Sequence, residues 1–177
     1  SACYSAALPY ITNLGSNSVD DLVNSKLCVL FASNPLVTTA GGDNKGYHML
    51  LAKEAGCRFI SVNPIYTDSA AALDAEWIPI YPGTDVALIA ALAYVMIKED
   101  MYDKEFMAKY TVGFDEDTLP EGAPKGSSWM AYLMGQQDGV EKTPEWAAEI
   151  TGIPAKRIVE LARDIAQTKP CHLTQNL

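Results

Sequence analysis

The sequence predicts an α/β fold with a mostly parallel sheet, and three observations carry the prediction. Two short apolar runs, "KLCVLFA" (Lys26 to Ala32) and "RFISV" (Arg58 to Val62), have strand length without polar alternation, the pattern of strands covered on both faces. Between them "NKGYHMLLAKEAG" reads as a helix, so strand, helix and strand follow one another by short connections. That is a βαβ unit, parallel and right-handed. Each run also ends in a polar Asn-Pro loop. Together these features describe a Rossmann-like three-layer domain with its ligand loops at the carboxyl edge of the strands.

The remaining elements follow in order. Residues 1–25 form an irregular lead-in, since "NLGSNSVDDLVNSK" is polar and turn-rich. In the first helix Tyr47, Leu50, Leu51 and Ala55 recur at helical spacing, and Gly56 is placed to stop it. "NPIYTDSAAALDAE" reads as a loop with at most a turn of helix. "EWIPI" (Glu76 to Ile80) is a third strand, brief or at an edge because Pro79 cannot donate to a ladder. An almost wholly apolar helix runs from Thr84 to Lys98, and a shorter one from Asp103 to about Tyr110. Residues 111–142, rich in Gly, Pro and acid, read as an excursion on the outside of the domain, a hairpin being one form it could take. Thr143-Pro144-Glu145 is a helix start, with N-cap, N1 proline and first-turn acid. "IPAKRIVELARDIAQTK" is amphipathic, with Ile158, Leu161, Ala162 and Ile165 on one face. The reading thus takes residues 26–177 as one α/β domain with an excursion at 111–142.

Composition removes several classes of function. The formal charge is −9, and the 13 Lys and Arg are scattered singly, so no basic stripe exists for a nucleic-acid backbone. The longest apolar run, Val86 to Ile97, falls well short of the roughly twenty residues that span a bilayer. Cys3, Cys28, Cys57 and Cys171 lie far apart with no C-x-x-C pair and read as ordinary buried thiols. His48 and His172 read as structural. There is no initiator Met and no signal sequence, and the chain stops where a strand begins. The expectation is an internal part of a larger protein.

Three strands in turn end in polar loops: Ser33-Asn34-Pro35, Asn63 to Ser69, and Tyr81-Pro82-Gly83-Thr84-Asp85. Parallel strands would bring all three to one edge. Gly83 lets the backbone approach a ligand or take positive φ, and Thr84 can cap the following helix so that its free N–H groups face an anion. Asp85 is the odd member, since a carboxylate repels phosphate yet suits the paired N–H donors of guanine. The plainer reading is that Thr84 and Asp85 only cap the helix, that the Asn-Pro pairs only end strands, and that Asp68 is a solvated loop acid. No G-x-G-x-x-G follows any strand, which lowers the case for a conventional NAD site.

Taken in order, "LFASNP", "AGCRFISVNPIYTDSA", "EWIPIYPGTDVALIAALAYVMIKEDMYDKEFMAKYTVGFDEDTLP" and "KTPEWAAEITGIPAKRIVELARDIAQTKP" resemble the catalytic subunits of the dimethyl sulfoxide reductase family of molybdopterin oxidoreductases. The resemblance runs from about Asn24 to the end. It implies a domain that binds one of two molybdopterin guanine dinucleotides of a molybdenum cofactor. The implied contacts are Asn34, Pro35, Asn63, Pro64, Thr67, Asp68, Gly83, Thr84 and Asp85, with the acid of the Pro-Gly-Thr-Asp motif on guanine. Ile65 and Tyr81 stand where the family commonly has Arg, leaving the phosphate contacts to other groups. Cys3-Tyr4-Ser5 resembles the family's Gly-Asp-Tyr-Ser segment, which implies Ser5 as the catalytic molybdenum ligand; an ordinary linker is the alternative.

The resemblance further implies a parent enzyme that reduces an S-oxide or N-oxide, such as dimethyl sulfoxide, in anaerobic respiration. Its partners would be the other domains of the same subunit, an iron–sulfur electron-transfer subunit and a membrane anchor. It would work in the periplasm or on the outer face of the cytoplasmic membrane. The isolated chain is expected to be inactive and to lack the cofactor. Two other readings stay open from the residues: an α/β enzyme domain for NAD or thiamine diphosphate, and a non-catalytic interaction domain. The latter would use the excursion with Trp129, Met130 and Tyr132 as anchor, although a small satellite core under the loop accounts for those residues better.

Overall fold

The structure, a computed structural model, describes residues 18–38 and 44–175. The backbone gathers into two compact units, one reaching to Pro79 and resuming at Lys169, the other Ile80–Thr168.

The first unit holds a sheet that, among the described residues, has four strands: β1 (Leu27–Phe31), β2 (Arg58–Val62), β3 (Glu76–Ile78) and β4 (Cys171–Gln175). Their order is β3-β2-β1-β4 and every pairing is parallel. Leu27 to Leu30 of β1 are buried, as expected of a strand with a partner on each side. β1 and β2 fall where the two apolar runs place them. β3 is both brief and an edge strand, and stops before Pro79. β4 forms the other edge, with His172, Thr174 and Gln175 in place of aliphatics.

Helix α1 (Lys45–Glu54) joins β1 to β2, and its chain ends through Gly56 at φ 93°. Its buried face is Gly46, Met49 and Ala52, not the Tyr47, Leu50, Leu51 and Ala55 stripe that spacing suggests; Tyr47 is exposed. Glycine decides the rotation. A Cβ on Gly46 would lie 2.6 Å from the Leu36 side chain and 3.2 Å from the Pro35 carbonyl, so the helix start presses on the turn after β1. Met49 and Ala52 then meet Cys28, Leu30 and Phe59 in the core. The single turn α2 (Asp68–Ala72) joins β2 to β3. The lead-in is less irregular than its composition suggests, because Val19–Asn24 form a 3-10 helix that buries Leu22.

The second unit is helical. Helix α3 (Asp85–Lys98) buries Ala87, Leu88, Ala90, Ala91, Leu92 and Val95 and leaves Val86 and Ile89 exposed. Helix α4 (Lys104–Tyr110) starts at Asp103, whose carboxylate accepts from the Phe106 N–H. The excursion contains no strand among its described residues, so it is not a hairpin. It is a run of turns that ends in the short helix α5 (Trp129–Leu133), with Phe114, Ala131 and Leu133 buried. Helix α6 (Pro144–Thr151) has the expected start, with the Thr143 hydroxyl accepting from the Trp146 N–H. Helix α7 (Ala155–Gln167) buries the four residues that its periodicity marks.

Lys142 closes the excursion. Its side chain is 1% exposed, and the ammonium donates to Asp138 Oδ2 at 2.6 Å and to the Val140 carbonyl. It also lies 4.4 Å from the centre of the Tyr132 ring and 5.4 Å from that of Trp146. Trp129 stacks on Tyr132 with centroids 5.5 Å apart. Tyr132 and Trp146 therefore form a satellite core around a buried cation, while Trp129 stays exposed. Lys142→Ala is expected to destabilise the chain by about 2–4 kcal/mol, the range for truncating a long side chain inside a core, measured by urea unfolding. Lys142 also holds the Asp138 carboxyl below the usual range, chiefly by its hydrogen bond. That contribution is present above the ordinary carboxylate pKa and disappears as pH falls through the depressed one, so the variant should show a shallower acid limb of stability.

Candidate functional site

Because the strands are parallel, the loops after β1 and β2 leave the sheet by the same edge. The order also reverses between β1 and β4: the chain steps outward through β2 and β3 on one side and returns on the other. In open α/β sheets such a switch point is where ligands bind, beyond the carboxyl ends of the two strands.

Several residues that the sequence marks for this edge are engaged in holding it together. Asn34 Oδ1 accepts from the Ser69 N–H at 3.1 Å and the Ser69 hydroxyl at 2.6 Å, and Ser69 Oγ accepts from the Leu36 N–H at 3.0 Å. The loop after β1 is thereby braced to the start of α2. The Thr67 hydroxyl, 5% exposed, accepts from the Ala70 N–H at 3.1 Å and caps α2. Asn63 is also buried. Its backbone carbonyl accepts from Trp77 Nε1 at 2.8 Å, its N–H donates to the Ile78 carbonyl at 3.2 Å, and its side chain accepts from the Ile65 N–H at 3.4 Å. Pro35 is buried, whereas Pro64, Ile65, Tyr66 and Asp68 are exposed. Tyr66 lies 5.7 Å from Trp77, centroid to centroid.

The turn before α3 belongs to the second unit. Gly83 has φ 76° and is exposed, and a Cβ there would meet nothing within 4 Å. Thr84 corrects the capping expectation, for its hydroxyl donates to the Tyr81 carbonyl at 2.7 Å and makes no cap bond to α3. With the hydroxyl turned back into its own turn, the first amides of α3 have no side-chain acceptor. Asp85, half-buried in that first turn, has no hydrogen-bond or ion-pair partner among the described residues. Tyr81 packs on Gly152, where a Cβ would come within 2.9 Å of the ring, and its N–H donates to the Thr151 carbonyl.

The remaining candidates are quickly placed. Ser5 lies outside the described residues. His48 Nδ1 sits 3.1 Å from Asp20. Burial keeps His172 below the usual imidazole range, helped by the Lys45 charge, so the ring is neutral. Cys28 and Cys57 are buried free thiols. Burial raises the Cys28 thiol far above its ordinary range and Cys57 to about 11, so neither is a thiolate at neutral pH. Sequence reasoning missed Ser69, which only the Thr-Asp-Ser run of a helix start could have signalled. It also missed Lys45, whose ammonium donates to Thr174 Oγ1 at 2.6 Å, because no local motif frames that lysine.

A parallel sheet of this order, with its polar loops at the carboxyl ends, defines a Rossmann-like α/β protein. Comparison with known proteins narrows the class. The family model described as molybdopterin oxidoreductase matches residues 5–168, and the chain belongs to that family. Among its relatives is dimethyl sulfoxide reductase DmsA of Haemophilus influenzae, 51% identical over 161 residues, a match that covers 90% of this chain and 20% of the relative. A dimethyl sulfoxide/trimethylamine N-oxide reductase of Cereibacter sphaeroides is 40% identical, over 79% of this chain and 16% of its own length. The chain thus spans about a fifth of the length of these relatives. Acetylene hydratase from Pelobacter acetylenicus shares the fold, with a TM-score of 0.61 at 24% identity over 88% of this chain and 20% of that one.

The brace at the sheet edge yields a test. Asn34→Ala removes the acceptor of two part-buried hydrogen bonds and should cost about 1–3 kcal/mol, whereas Asn34→Asp, which keeps the acceptor, should cost less. Urea midpoints of the two variants measure the difference.

Proposed function

We propose that the chain is the cofactor-binding part of a molybdenum reductase and holds the guanine dinucleotide end of a molybdopterin cofactor. Membership of the molybdopterin oxidoreductase family implies a molybdenum–pterin group; the guanine form rests on the donors and acceptors of this chain. The observation that carries it is the Gly83–Asp85 turn. Asp85 presents a carboxylate with no partner among the described residues, beside a backbone that no Cβ obstructs. Adenine lacks the adjacent ring N–H and exocyclic amine of guanine that such a carboxylate accepts. These residues fit the group. In the second unit Gly83, Thr84 and Asp85 are the proposed contacts of the base; in the first unit, taken by itself, the proposed cofactor contacts are Asn34, Pro35, Asn63, Pro64, Thr67 and Asp68 of the strand-end loops.

When bound, the group supplies two-electron oxygen-atom transfer. This chain's own residues bind and orient it: the engaged residues, Asn34, Asn63 and Thr67, fix the loops, and Asp85 selects the base. Relatives named for dimethyl sulfoxide and trimethylamine N-oxide support an S-oxide or N-oxide as substrate of the longer protein. That protein would take its electrons from an iron–sulfur subunit on a membrane anchor, in the periplasm or at the outer face of the cytoplasmic membrane, with Ser5 as the proposed molybdenum ligand.

Amide NMR of the chain titrated with GDP, ADP and NAD tests the base preference. Shifts with GDP and not with the others, weakened about tenfold or more in Asp85→Asn, are the expected result, since the lost bonds are charge-assisted. Equal response to ADP, or an Asp85→Asn variant that binds GDP like the wild type, would overturn the guanine assignment.

A further inference from the structure

A dinucleotide brings phosphates, and the loops at the sheet edge have no cation for them: neither 33–38 nor 63–68 contains Lys or Arg. The other described cations of the first unit lie at the opposite edge. Lys26 precedes β1, Arg58 opens β2 and Lys169 precedes β4. Lys53, at the far end of α1, is held by the Ala72 carbonyl and Asp74. Lys45 alone among them stands at the carboxyl edge. It opens α1, and its ammonium donates to the hydroxyl of Thr174, which is 8% exposed and one residue from the end of β4. Thr174 pairs in register with Leu30 of β1, so the ammonium is fixed over the two strands between which the sheet order reverses.

The surroundings of Lys45 are also unusual for a cation. Among the described residues no carboxylate pairs with it, and the first turn of α1 has no acid and no side-chain cap. A lysine in a first helical turn opposes the helix dipole. A half-buried ammonium with one hydroxyl partner retains two donor protons. Both conditions are relieved by an anion. His172, on the same face of β4 two residues back, is neutral and does not compete as the cation.

We propose that Lys45, steered by Thr174, is the phosphate contact of a nucleotide bound at the switch point between β1 and β4. This rests on the nucleotide-binding reading above and concerns the sheet edge of the first unit by itself. The ligand chemistry is a diphosphate, recognised as charge, whatever base it bears.

Calorimetric titration of the chain with GDP, ADP, inorganic pyrophosphate and guanosine tests it, with variants Lys45→Gln, Lys45→Arg and Thr174→Val checked for native circular dichroism. Lys45→Gln should weaken GDP and pyrophosphate by about tenfold or more, the loss of one charge-assisted contact, and leave guanosine unchanged. Lys45→Arg should restore most of the affinity, and Thr174→Val should weaken both diphosphates to a smaller extent. Lys45→Gln binding both diphosphates like the wild type would overturn the proposal. Equal binding of ADP and GDP by the wild type would sink the guanine reading alone, with a loss of both in Lys45→Gln still supporting the phosphate role. A wild-type chain that binds neither nucleotide nor pyrophosphate would overturn both.

Discussion

Parallel pairing is the constraint from which the rest of the first unit follows. β1 is hydrogen-bonded on both sides to strands running its own way, and β2 likewise. No tight turn can join such neighbours, so each connection must cross the sheet and every strand must finish at one edge. Polar backbone then accumulates at that edge and needs partners. The structure meets the need locally: Asn34 with Ser69, Thr67 with Ala70, and the Asn63 carbonyl with the Trp77 indole. The same bonds that satisfy the chain ends also stiffen the loops, which is what a preorganised ligand edge requires.

Two kinds of residue therefore share that edge and the turn before α3. Asn34, Asn63 and Thr67 have spent their polar atoms on the protein. Asp85 and Lys45 have not: one carboxylate and two ammonium protons stay unused by described residues. Motif resemblance cannot separate the kinds, because an Asn that braces a loop and an Asp without a partner among the described residues stand equally well in a motif. Bond accounting does separate them, and it shifts the weight of recognition onto few side chains.

Much of the fold was legible because its signals are local. Apolar runs marked β1 and β2, Pro79 shortened β3, and caps and periodicity marked α4, the start of α6 and the stretch that holds α7. What escaped depended on partners distant in sequence. The face of α1 was misassigned because the contact of Gly46 with Pro35 and Leu36 outweighs a stripe of larger apolar side chains. The excursion offered a hairpin as one form, and not its short helix, because its core is built around Lys142, a residue that hydropathy places in water. Around the candidate site, the positive φ of Gly83 was legible from its turn, but the bonds of Thr84, Ser69 and Lys45 were not. Each is a hydrogen bond whose geometry, or whose partner up to 129 residues away, no pattern encodes.

The second unit lies in sequence between β3 and β4, while β4 completes the sheet beside β1, with Leu27 opposite Cys171. Early in folding, that pairing must wait for the ends of a very long loop to meet, and the entropy of closure delays it far beyond local helix formation. During synthesis β1, α1, β2 and β3 emerge first, with one edge of β1 unpaired until the C-terminal strand arrives. For that interval the chain carries an apolar, parallel-competent edge, the kind that recruits strands from other molecules. The step most exposed to aggregation is thus the pairing of β4 with β1, and the helical insertion sets how long the wait for it lasts.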